Sequence, residues 1–90
     1  MKVIVTTAFK KSTKKLMRNQ IAAVEDIIDD LITDPEIGEL KKGDLAGIRV
    51  HKFYLNNQQM LLAYHYFENE LVLLSLSTHE NFYRDLKKRI

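Results

Sequence analysis

Two short breaks constrain this chain more than any other feature. Asn56-Asn57 and Glu68-Asn69 interrupt a stretch from Leu45 to Ser77 that is otherwise rich in β-branched, aromatic and leucine residues. Asparagine tolerates positive φ, so each dipeptide fits a two-residue hairpin turn. Three strands are expected: Leu45–Leu55, Gln58–Phe67 and Glu70 to about Ser77. Such short connections force neighbouring strands to run antiparallel, as a meander.

The turns also fix a register. If Leu55 faces Gln58 and Phe67 faces Glu70, alternate residues share a face. One face then carries Ile48, Val50, Leu61, Ala63, Val72, Leu74 and Leu76. It is nearly all apolar and is expected to receive the helices. The other carries Arg49 opposite Tyr64 and His51 opposite Leu62, then Ser75 and Ser77, with His79 just beyond. A one-residue slip or a bulge would exchange these faces. Lys52 and His65 fall on the apolar face, where His65 reads as a structural histidine near a strand end.

Upstream, Lys2–Thr6 reads as a short strand and Phe9 to about Met17 as a very basic short helix. A longer helix is expected from about Asn19 to Thr33. Ile21, Val24, Ile28 and Leu31 form its apolar stripe, widened by Ile27 and Ile32. Glu25, Asp26, Asp29 and Asp30 occupy the opposite side, and Pro35 stops the helix. A tight connection makes these two helices an antiparallel hairpin. Phe82, Leu86 and Ile90 recur every four residues and suggest a last helix. The order β-α-α-β-β-β-α predicts an α+β fold, a small antiparallel-dominated sheet with the N-terminal helical hairpin on one face.

Ninety residues make one domain, taken as 1–90. No apolar run approaches the roughly 18 residues of a membrane span. The N-terminus is too short and soon too charged for a signal peptide. The chain has no cysteine, hence no disulfide framework or thiolate zinc site. These features together suggest a cytoplasmic protein without a membrane partner. Net charge is only +2, yet residues 1–20 carry +6, residues 21–40 carry −7 and residues 41–90 carry +3. A segregated basic surface is the footprint of a polyanion partner, although lysines also simply solvate helix faces.

Ser77-Thr78-His79-Glu80 matches a capping box, with Ser77 as N-cap and Glu80 three residues on. His79 would then sit in a helical first turn, where free N–H groups favour an anion. An imidazole there is suited to proton transfer near neutrality. The plain alternative is a helix cap with His79 as a passenger. No glycine-rich phosphate loop is present. His51, His65 and His79 are spaced 14 apart and form no metal motif, and the serines lack a nucleophile-elbow context. Neither a metal nor another cofactor is expected.

The element order, the basic first helix and three segments together resemble the RelE/ParE superfamily of type II toxin–antitoxin toxins. The segments are Gly43-Asp44-Leu45-Ala46-Gly47-Ile48-Arg49-Val50-His51-Lys52-Phe53, Leu61-Leu62-Ala63-Tyr64, and Thr78-His79-Glu80-Asn81-Phe82-Tyr83-Arg84-Asp85-Leu86-Lys87. The resemblance implies an endoribonuclease acting on mRNA in the ribosome, by attack of a ribose 2′-hydroxyl on the adjacent phosphate without a metal. Thr78-His79 and Tyr83 are similar to the end of YafQ-type toxins, which implies His79 as general acid or base and Tyr83 as a base-stacking ring. The resemblance implies phosphate stabilisation for Arg49, and proton transfer or phosphate contact for His51. Lys10, Lys11, Lys14, Lys15, Lys52, Arg84, Lys87, Lys88 and Arg89 would grip RNA. A cognate antitoxin is the implied protein partner.

Two positions depart from that pattern. Leu61 stands where many RelE-like toxins carry an arginine, and His79 where an arginine often ends the last strand. The same superfamily includes ParE toxins, which poison DNA gyrase and cut no RNA, and a toxin-like binding module without activity is a third possibility.

Overall fold

The computed structural model describes residues 1–43 and 47–78. Its elements are β1 (Lys2–Val5), α1 (Thr7–Thr13), α2 (Arg18–Thr33), β2 (Glu39–Leu40), β3 (Arg49–Leu55), β4 (Gln58–Phe67) and β5 (Glu70–Thr78). They form one five-stranded sheet in the order β1-β5-β4-β3-β2, with only β1–β5 parallel. The two-residue β2 carries no period-2 signal and was absent from the sequence expectation. The expected helix from Phe82 to Ile90 and residues 44–46 lie outside the described residues.

Local chemistry explains the boundaries. Thr6 ends the first strand and caps α1, its Oγ1 accepting from Phe9 N at 3.2 Å and donating to Leu73 O at 2.8 Å. One hydroxyl thus ties the helix start to β5 and sets α1 two residues earlier than its apolar pattern suggests. At the start of α2, Gln20 Oε1 accepts from the backbone N–H of Met17 at 2.9 Å. Both hairpin turns are as expected. Asn56, Asn57, Glu68 and Asn69 have φ of 50°, 67°, 50° and 64°, the paired positive values of a type I′ turn.

The first hairpin has the expected register, with Arg49 facing Tyr64 and Leu55 facing Gln58. The second begins as expected, with Phe67 facing Glu70, but shifts between Ala63 and Tyr64. Tyr64 pairs with Leu73 and Ala63 with Ser75, so Leu74 is an extra, bulged residue. Beyond it the facing of β5 is reversed: Leu76 joins one face, and Ser75 and Ser77 join the other.

The helices occupy the face opposite to the one expected. Phe9, Val24 and Leu31, with Leu16, Ala23, Ile27 and Ile28, pack on Phe53, Leu55, Met60, Leu62, Tyr64, Leu71, Leu73 and Leu76. That face is also the one of Arg49 and His51. Ile48, Val50, Leu61 and Ala63 form a separate cluster on the other side, with Leu74 against it. The reason is volume. Both faces of the meander are apolar, and Met60 to Tyr64 are buried without a break. The helix side offers the larger side chains, whereas the other side is built on Val50 and Ala63. Arg49 and His51 are tolerated beneath the helical layer because they lie on β3, toward the sheet edge, where long polar side chains reach outward.

Tyr64 is 0% exposed, and its phenol fastens the loop after α2 to the central strand. The hydroxyl donates to Pro35 O at 2.8 Å and accepts from Gly38 N at 2.9 Å. Only glycine fits at position 38: a Cβ there would lie 2.7 Å from the phenol oxygen. Tyr64→Phe should therefore leave buried backbone groups unpaired and cost about 1–3 kcal/mol. Gly38→Ala should destabilise comparably by displacing the ring. Urea denaturation with unchanged slope would measure both, and a shift under about 0.5 kcal/mol for both would show that the loop is not held here.

Candidate functional site

The face that carries no helix among the described residues, hereafter the helix-free face, is ordered in rows by the strand pairings. Lys52 faces Leu61, which faces Ser77; Val50 faces Ala63, which faces Ser75; Tyr54 faces Gln59. The floor is apolar and buried, made of Ile48, Val50, Leu61 and Ala63. Polar groups rim it. Lys52 is exposed, and the Tyr54 ring is 70% exposed, free to receive a flat partner. Ser77 sits two strand spacings from Lys52, roughly 10 Å. Its Oγ is buried and has no hydrogen-bond partner among the described residues.

The basic end of α1 lies at the same end of the sheet as Ser77. Ser12 Oγ, in the last turn of α1, accepts from Leu76 N at 3.5 Å. Lys10, Lys11, Lys14 and Lys15 are exposed around it. They belong to the helical layer, so the sheet separates them from Lys52.

The expected cluster of Arg49, His51, Tyr64, Ser75 and Ser77 on the helix-free face is not what the structure has. Arg49, His51 and Tyr64 are on the helix side; the bulge moves Ser75 and Ser77 to the opposite one. Arg49 Nη1 donates to Gly38 O at 2.9 Å and Glu36 O at 3.2 Å, and Nη2 lies 3.9 Å from Glu36 Oε1. The guanidinium thus backs the same loop that Tyr64 holds. Charge at Arg49 and burial of the phenol act oppositely on Tyr64, and burial prevails, raising its pKa. His51 stacks on Phe53 with ring centroids 6.1 Å apart. Burial lowers the pKa of its imidazole, opposed by the carboxylate of Asp30 on α2.

His65 is partly buried on the helix-free face, its ring 3.9 Å from where a Cβ on Gly47 would stand. His79, Tyr83, Arg84, Lys87, Lys88 and Arg89 lie outside the described residues, as does the expected cap onto Glu80. Sequence reasoning missed Tyr54 and Gln59, although an exposed aromatic beside a tight turn was visible. Among the described residues, no three His, Cys, Asp or Glu side chains gather to hold a metal ion. No helix among them is long and apolar enough to cross a membrane.

Residues 3–87 match the model of a family described as ParE-like toxin of type II bacterial toxin–antitoxin system. No curated protein matches the chain in sequence. Solved structures do match. The RelBE2 toxin–antitoxin complex of Mycobacterium tuberculosis contains a chain 23% identical with a TM-score of 0.75, over 87% of this chain and 96% of that one. A double arginine-to-alanine mutant of E. coli RelE in the free state is 17% identical with a TM-score of 0.74, over 99% and 96%. The intact E. coli RelBE complex gives 14% identity and a TM-score of 0.68, over 86% and 94%. At such identities the likeness is one of fold, and the fold is that of RelE.

The setting of His51 yields a pH dependence. Its folded pKa is below the unfolded value of about 6.5, so the folded state resists protonation. The resulting stability is complete above that unfolded value and is lost as pH falls through the folded pKa. Wild type should therefore lose more stability between pH 7.5 and 5.5 than His51→Gln, by urea midpoint. Asp30→Asn should move the imidazole titration, followed by NMR, still lower. A midpoint above 6.5 would contradict the assigned environment.

Proposed function

The chain belongs to the ParE-like toxins of type II bacterial toxin–antitoxin systems, and we propose that within this family it halts translation by cutting mRNA on the ribosome. One observation carries the reading: the row from Lys52 across Leu61 to Ser77 lies at the end of the sheet where β5 gives way to the sequence Thr78-His79, and the basic end of α1 lies at that same end on the other face. The exposed Lys52 supplies a cation, and His79, two residues after Ser77 in the sequence, supplies an imidazole, the groups that phosphodiester cleavage without a metal calls for.

The chemistry follows. The 2′-oxygen attacks the neighbouring phosphorus while a base takes its proton. The bond to the 5′-oxygen breaks, leaving a 2′,3′-cyclic phosphate and a 5′-hydroxyl protonated by an acid. His79 serves as base or acid. The exposed Lys52 ammonium faces the phosphoryl oxygens, where negative charge builds up. Tyr54 and Tyr83 hold unpaired bases by stacking. Lys10, Lys11, Lys14, Lys15, Arg84, Lys87, Lys88 and Arg89 grip RNA backbone. Arg49 and His51, on the helix side, support the loop and the α2 contact instead of touching phosphate. The antitoxin is the expected protein partner; two structural neighbours are toxin–antitoxin complexes.

A second reading has its own observation. The family model matched over residues 3–87 is described as that of ParE-like toxins, which favours a ParE-type gyrase inhibitor as the alternative. A coupled translation extract with primer extension separates the two. Codon-phased cuts that require ribosomes are expected. His79→Ala should reduce cutting by about 10²–10⁴-fold, the usual contribution of a general acid or base. Lys52→Ala should reduce it by roughly tenfold or more. Intact mRNA together with trapped gyrase–DNA complexes would overturn the ribonuclease reading for the gyrase one, and a chain harmless when expressed alone would overturn both.

A further inference from the structure

A second polar feature lies at the opposite end of the helix-free face from Lys52 and Ser77. Around the β4–β5 turn, His65, Phe67, Glu68, Glu70 and Val72 line a shallow pocket of about 170 Å³. His65 faces Val72 and Phe67 faces Glu70 across the ladder, so these four share one face. Glu68 joins them from the turn, where its φ of 50° carries its backbone through the reversal. The His65 and Phe67 rings are 6.4 Å apart and tilted by 38°. Phe67 is 62% exposed, a large apolar ring given to solvent. Lys2 is the register partner of Glu70 on β1, yet among the described residues the salt bridges are Lys41–Glu39 and Arg49–Glu36, and neither involves Glu68 or Glu70.

The pocket therefore offers two carboxylates without an ion pair, an open phenyl face and an apolar wall. We propose that it receives the side chain of an arginine from a polypeptide partner. A guanidinium is planar and stacks on an aromatic face while its five N–H groups donate sideways to carboxylates. Its methylene stem would lie along Val72. A nucleotide fits the same rings less well, because its phosphate would approach two like-charged carboxylates. In a toxin of this family the partner bearing the arginine is the antitoxin, so the partner's identity rests on the toxin reading, whereas the ligand chemistry does not. The pocket is remote from the Lys52–Ser77 row, so a partner held here leaves that row uncovered by this contact.

The test is an amide NMR titration of the full chain with N-acetyl-arginine methylamide. Saturable shifts are expected for residues 65–72, and none with the citrulline analogue, which keeps the shape and lacks the charge. Glu68→Gln with Glu70→Gln should weaken binding at least roughly tenfold, about one charge-assisted hydrogen bond. Phe67→Ala, an exposed substitution, gives an independent loss should the double variant fold poorly. Two results would overturn the proposal: guanosine monophosphate moving these amides more strongly than the arginine probe, or arginine binding that survives both substitutions. Absence of mRNA cutting would leave this titration unaffected, so failure of the toxin mechanism and failure of the pocket are read separately.

Discussion

Everything on both sides of the sheet depends on five consecutive residues of the central strand that are closed to solvent. Met60, Leu61, Leu62, Ala63 and Tyr64 are buried in succession, so β4 must be covered on both faces. Each fully buried leucine is worth about 1.5–3 kcal/mol relative to exposure, which makes the coverage strongly preferred. The bulge at Leu74 reconciles this with β5. Before the bulge, Leu71 and Leu73 join the helix layer; after it, Leu76 does. Without the extra residue, Leu76 would leave that core and Ser75 and Ser77 would enter it. One inserted residue thus keeps the core apolar and delivers two hydroxyls to the opposite face.

The loop between α2 and β2 is held by groups that look catalytic in the sequence. Tyr64 and Arg49 both bond to its backbone, one from the buried central strand and one from β3. A planar guanidinium suits this work, since its fork can serve two carbonyls at once. The arrangement also fixes the end of an acidic helix beside a basic strand residue. Glu36 and Arg49 add little through their 3.9 Å approach, as exposed pairs contribute about 0–1 kcal/mol. The bond to Gly38 O, partly shielded from water, matters more.

Much of the fold was legible in the sequence, for identifiable reasons. Asn56-Asn57 and Glu68-Asn69 announced their turns because few residues accept paired positive φ. The stripe of Ile21, Val24, Ile28 and Leu31 announced α2 because a helix has one buried side. The choice of face was not legible, because a sheet buried on both sides carries no polarity contrast to choose by. Nor was the bulge, since nothing about Leu74 differs from its neighbours. The Tyr64 clamp joins residues 26 and 29 positions apart, beyond any local pattern. Of the candidate site, Lys52 was named as an RNA contact but set aside on a face thought to be covered. Ser77 was named on the face away from the helices, where it lies, but in the company of Arg49 and His51, which lie on the other; Tyr54 was passed over because an exposed ring at a turn has no periodicity.

The buried apolar cluster beside Lys52 bears on how strongly that lysine can act on an anion. Attraction between unit charges 4 Å apart is about 1 kcal/mol in water and about 4 kcal/mol at the effective dielectric near a protein surface. An anion at Lys52 would meet the ammonium next to the buried, apolar Val50 and Leu61 and feel it more strongly than it would in open solvent. That gain is limited by geometry. A phosphorane carries more than one negative charge, and a single ammonium at one edge cannot face every oxygen. An apolar neighbourhood therefore strengthens one cation but does not replace the further donors that a phosphorane's other oxygens require.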